Sequence, residues 1–288
     1  MPALTPILLI ALQVGPNPTG STQLGTPDEL LERPARKEEL NPTSKWLAQC
    51  LRQLEDSPAR AHAQAQIRRA ETSGAERVVA NHCLGLAATE LSLWRDARSA
   101  FLAAREETPA DELGAKARFG TMAGNAALAG GDAQAAVKLL AAAQIDARNA
   151  ASATLEALAA IDAARALVTL KREPEALAAL ENATRLEPEV SEGWLLKATL
   201  LRRLERLDEA QSAIERAIEL APLDAEIGLE AGVIAVLSGR EDAARQSWES
   251  VIATQPDSLA AVTAKEYLEQ LGPPPAAQTA TEELPPSM

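Results

Sequence analysis

Pro188, Pro222 and Pro256 stand 34 residues apart, and the same stride links Ala198 to Gly232, Ala210 to Ala244, Ile214 to Trp248 and Ala217 to Val251. A recurrence of this length, closed by a proline and carrying small residues at fixed offsets, specifies stacked pairs of helices. Each such unit buries its apolar face only against its neighbours, so the chain folds as a row and not around one centre.

One unit can be read physically. Ala198 and Ala210 are small, which lets two antiparallel helices approach closely, and the interval between them accommodates a helix end, a turn and a helix start. Ile214 and Ala217 follow Ala210 on one apolar stripe of the second helix. Pro222 ends that helix, because it lacks an amide proton and biases its predecessor away from helical geometry. Ser191 is the expected N-cap of the first helix.

The pattern resembles the tetratricopeptide repeat (TPR) family. The residues that carry the resemblance are Trp194, Ala198, Ala210, Ile214, Ala217 and Pro222, with Leu207-Asp208-Glu209-Ala210 opening the second helix. The next unit departs in having Gly228 at the tryptophan position and Trp248 at the bulky one. The resemblance implies an all-α fold, a right-handed superhelix of antiparallel helix pairs. It also implies a protein or peptide ligand held in the groove lined by the first helices.

The offsets recur upstream with drift. Ala164, Ala176, Leu180, Ala183 and Pro188 make one unit; Gly124, Ala136, Leu140 and Ala143 another; Gly85, Ala97, Phe101, Ala104 and Pro109 a third. Leu51, Ala63, Ile67 and Ala70 make a weak first unit, turning at Asp56-Ser57-Pro58. The intervals from Gly85 to Gly124 to Ala164 stretch to 39 and 40 residues, which predicts longer helices or loops and no inserted domain. The array is expected over residues 44–271, about six pairs with a capping helix over 257–271. Apolar residues make up 47% of the chain and aromatics only 2%, so burial rests on alanine and leucine, as close helix packing requires.

Outside the array, residues 1–20 read as a signal-like leader, with an apolar Leu4–Val14 too short to span a bilayer as a helix. Residues 21–43 read as a flexible linker and 272–288 as a disordered Pro-rich tail. The leader favours an exported, periplasmic or secreted bacterial protein; the absence of an early Lys or Arg favours a cytoplasmic one. Net charge is −13 with a pI near 4.8, which opposes binding to phosphate backbones and to anionic lipid. No nucleic-acid partner and no stable membrane insertion are expected.

Motifs of catalysis are missing. Two His and two Cys are present, with no phosphate loop, dinucleotide fingerprint or paired-Cys metal motif, and no cofactor or metal is expected. In Asn81-His82-Cys83 the side chains of neighbours on a helix diverge by about 100°, which argues against a nucleophile–base pair. Cys50 and Cys83 are 33 residues apart at near-equivalent places on successive first helices. They form either a disulfide or two buried thiols.

The expected groove carries His82, Leu86, Thr89, Thr121, Asn125, Leu128, Ile161, Arg165, Val168, Leu195, Thr199, Arg202, Leu229, Val233 and Val236. Asn125, Arg165 and Arg202 are its polar handles, the arginines suited to a bidentate carboxylate. The basic and asparagine residues with which similar chaperone-binding members clamp a terminal carboxylate do not recur as a set. The expected function is a non-catalytic interaction scaffold; the alternative is a regulatory or assembly subunit of a cell-envelope complex.

Overall fold

The structure, a computed structural model, describes residues 42–272; the leader, most of the linker and residues 273–288 lie outside it. The described residues form thirteen helices and no strand. Six antiparallel pairs follow one another: α1 (Pro42–Asp56) with α2 (Pro58–Glu71), α3 (Gly74–Glu90) with α4 (Trp94–Glu107), and α5 (Leu113–Ala129) with α6 (Ala133–Asn149). Then come α7 (Ala153–Thr169) with α8 (Glu173–Leu186), α9 (Ser191–Arg203) with α10 (Leu207–Leu220), and α11 (Ala225–Leu237) with α12 (Glu241–Thr254). Helix α13 (Leu259–Leu271) caps the row. The fold is an all-α solenoid.

The stretched intervals have a simple origin. Helices α3, α5 and α7 are 17 residues long, against 13 for α9 and α11. One added helical turn accounts for four residues, and a loop residue or a longer α6 supplies the rest. No domain is inserted.

Within five of the pairs the turn is built alike. Three residues connect the helices, and the middle one has positive φ: Ser92, Gly131, Lys171, Glu205 and Gly239. The amide after it donates back to the helix, as Arg172 N does to Leu167 O at 2.9 Å and Arg206 N to Leu201 O at 3.0 Å. This is the Schellman arrangement, which favours glycine at the left-handed position. Two turns use glycine; Ser92, Lys171 and Glu205 carry a Cβ where it is disfavoured. Lys171→Gly and Glu205→Gly are therefore expected to stabilise the array by about 0.5–1 kcal/mol each, read as a raised midpoint in urea. An unchanged or lowered midpoint would show that the turns relax around the side chain.

The seam within each pair works by complementary size. A Cβ added to Gly85 would sit 2.6 Å from Phe101 Cδ1, and one added to Gly124 would sit 2.6 Å from Leu140 Cγ. Where the first helix carries Ala164 or Ala198, the partner is the aliphatic Leu180 or Ile214, both buried. The two aromatic residues of these seams, Phe101 and Trp248, both face glycine, at Gly85 and Gly232.

Two expectations are corrected. The stripe of α2 is Ala61 and Ala65; Ala63, Ile67 and Ala70 are exposed. The turn before α2 is the single residue Ser57 instead of three, and a turn shorter by two shifts the buried register by two. Ser191 is not an N-cap: it is the first residue of α9, behind Val190, which makes no side-chain cap bond. Side-chain caps do occur at Asp132, Ser152, Asp224 and Ser258. Trp194 steadies the start of α9 instead, its Nε1 donating to Pro188 O at 2.9 Å.

Candidate interaction groove

Three of the five successive pairs of first helices pack directly, α1 with α3, α5 with α7 and α9 with α11, whereas no two second helices pack to that extent. In a bent row the helices at the smaller radius are the ones that meet, so the first helices form the inner face. Thr121, Asn125, Arg165, Thr199 and Arg202 lie on these helices and are exposed or half-buried. Ile161 is not available to a ligand: it is only 1% exposed and belongs to the central core.

The polar handles are already occupied. Asn125 Nδ2 donates to Asp162 Oδ2 at 2.8 Å, Arg165 donates to Asp162 Oδ1 at 2.5 Å, and the other arm of Arg165 reaches Glu192. The ladder thus runs from α5 through α7 to α9. A second rung joins α9 to α11, with Arg202 Nε and Nη2 donating to Glu230 at 2.6 and 3.2 Å. Burial pushes the Asp162 carboxyl up from its ordinary value, against the opposing pull of its Asn125 and Arg165 bonds. Charge that would clamp a free carboxylate is satisfied within the array.

His82 also has partners of its own. Its ring stands 5.3 Å from Phe119, edge on, and 6.5 Å from Phe101, bridging α3, α4 and α5. Burial pushes the His82 imidazole below its ordinary pKa. Cys83 and Cys50 are joined as a disulfide with a Cα–Cα separation of 6.3 Å, within the usual range. A bonded Cys83 supplies no thiolate.

What the inner face offers is apolar. A recess of about 200 Å³ lies among Val168, Leu180, Leu196, Thr199, Leu200 and the stem of Arg203. A wider cleft of about 410 Å³ lies near the end of the row, among Val233, Val236, Leu237, Trp248, Tyr267 and Leu271. Leu237 is 53% exposed beside it. The sequence reading missed the acidic partners Asp162 and Glu230 together with Leu196. All three occupy one column, 34 residues apart from one to the next, immediately after Ile161, Leu195 and Leu229. Read as a column, it would have shown acids set to meet Asn125, Arg165 and Arg202.

The fold and this inner face define a helical-repeat interaction scaffold. Residues 161–210 and 195–259 match the tetratricopeptide-repeat family profile. Over residues 161–259 the chain carries tetratricopeptide repeats. No curated protein matches its sequence. Among solved structures it is similar in fold to PilW, described as a widely conserved type IV pilus biogenesis factor, at a TM-score of 0.62 and 16% identity over 78% of this chain and 100% of that one. It is likewise similar to PilF of Pseudomonas aeruginosa, at 0.60 and 14% over 78% and 97%. BtubC of P. vanneervenii aligns at 0.54 and 14% over 86% and 100%. At these identities the likeness is one of fold. Among the described residues no helix is long and apolar enough to cross a membrane, and no cluster of metal-ligating side chains occurs.

Proposed function

We propose that this chain binds a segment of a partner protein along its inner face, seating apolar side chains in the two recesses, and performs no catalysis. The observation that carries this reading is the pairing of Arg165 and Arg202 with acids of the array. Neutralised arginines make polar walls, while Leu196, Val233, Val236 and Leu237 provide the adhesive surface. Thr121, Asn125 and Thr199 give the walls hydrogen-bonding capacity for a ligand backbone, and His82 belongs to the N-terminal end of the same face. The acidity of the chain makes nucleic acid an unfavourable ligand.

Cross-linking in the source cell followed by mass spectrometry names the partner. Leu196→Glu and Val236→Glu are then each expected to weaken its binding at least tenfold, about 1.4 kcal/mol, with helicity unchanged. Unaltered affinity in both variants, alongside loss on deleting residues 272–288, would move the site to the tail.

A second reading places the chain in a cell-envelope assembly. It is supported by the Cys50–Cys83 bridge, which favours an oxidising compartment, and by the apolar Leu4–Val14. N-terminal sequencing of the native protein tests it. Export requires a mature start between Leu12 and Thr26, and an intact Met1 or Pro2 on a cytosolic protein defeats it.

A further inference from the structure

Among the described residues, the first helix pair is the one that a covalent bond ties to its neighbour. Ala65 occupies the place that Phe101, Leu140, Leu180, Ile214 and Trp248 fill in the later pairs, so α2 sinks only a methyl group into the seam with its own partner helix. The cluster at this junction is correspondingly small, built from Cys50, Ala65, Cys83, Leu84 and Ala100 with Trp46 and Leu54 at its edge.

Polar atoms at the same end weaken it further. Gln53 Oε1 on α1, His62 Nε2 on α2 and both amide atoms of Asn81 on α3 are shut from solvent with no hydrogen-bond partner. Among the described residues only Arg245 shares that condition. Each buried, unpaired group loses its hydration and receives nothing in exchange. Arg68 gives some return, lying 5.1 Å from the Trp46 ring and pairing with Glu76 at 3.0 Å, but it is partly solvated and such pairs contribute little. Beside this seam of small side chains and unpaired polar atoms stands one covalent tie, the bridge from Cys50 on α1 to Cys83 on α3.

We propose that the Cys50–Cys83 disulfide is a redox latch whose reduction frees α1 and α2 from α3 and leaves the rest of the array folded. The step needs an external dithiol. One of its thiolates attacks a bridge sulfur to give a mixed disulfide, and the second displaces it. Cys50 and Cys83 gain two electrons and two protons, and the dithiol leaves as its cyclic disulfide. Because each pair contacts only its neighbours, loosening at one end need not spread. Release bares Leu84 and the alanines beside it on α3, a new end surface for the row.

Hydrogen exchange of the full chain with and without dithiothreitol tests the latch. Reduction is expected to speed exchange across residues 42–71 by on the order of 500-fold, as loss of a cross-link over a loop of this size implies. Peptides from 153–271 are expected to keep their protection. The Cys50→Ser/Cys83→Ser variant is expected to match the reduced protein and ignore dithiothreitol; should that variant fail to fold, the reduced wild type carries the test. Equal protection of 42–71 in both redox states overturns the proposal. So does loss of protection spread evenly over all thirteen helices, or two free thiols in denatured protein never exposed to reductant.

Discussion

Gly232→Ala is expected to cost about 2–3 kcal/mol, although alanine is intrinsically the better helix former by about 1 kcal/mol. The new Cβ would lie 2.5 Å from Cδ1 and Cε2 of Trp248, inside the indole. Trp248 has little room to retreat, being 3% exposed and donating from Nε1 to Leu229 O at 3.1 Å. The array itself supplies the remedy, since the preceding pair joins Ala198 to Ile214 at the equivalent places. Gly232→Ala/Trp248→Ile should therefore recover most of the loss. Trp248→Ile alone should cost about 2–4 kcal/mol through the void it leaves over Gly232. Urea titration of the four proteins closes the cycle. Additive single effects, with no rescue, would mean that pair spacing is not set by this contact.

Arg202→Ala is expected to lower stability by about 2 kcal/mol, because it strands the largely buried Glu230 carboxylate rather than because a surface ion pair is lost. The side chains of the pair are 24% and 13% exposed, and the two hydrogen bonds cross from α9 to α11. Arg202→Ala/Glu230→Gln should regain about half of the loss, since a neutral amide needs no countercharge. This separates support from recognition. If Arg202 instead contacts a ligand carboxylate directly, the double variant will regain stability yet bind no better than Arg202→Ala. Full recovery of binding with stability assigns Arg202 to the scaffold. Loss of stability below about 0.5 kcal/mol would show the pair to be solvated and idle.

The helix pairs from Gly85 onward were legible because their signal is local and periodic. A proline stops a helix wherever the chain runs, and Ala136, Leu140 and Ala143 fall on one face by helical geometry alone. The first pair was legible only as a pair. The usual interval places its stripe at Ala63, Ile67 and Ala70, whereas Ala61 and Ala65 are the buried residues. The turn at Ser57 is two residues shorter, and two residues rotate a helical stripe by about 200°. Ile161 failed for a related reason. In its column Leu195 and Leu229 are only half-buried, and burial depends on what packs across the seam.

Sequence alone therefore determined the repeat and the all-helical fold, both properties of spacing along one chain. Tertiary structure decided which residues of the inner face remain available to a partner. Asn125, Arg165 and Arg202 look free on their own helices, and only the docking of α5, α7, α9 and α11 brings Asp162, Glu192 and Glu230 within hydrogen-bonding reach. The same docking brought Cys50 to Cys83, where the sequence admitted either a bridge or two thiols. Pairing of charges and of sulfurs depends on distances between helices, and spacing within a helix does not set them.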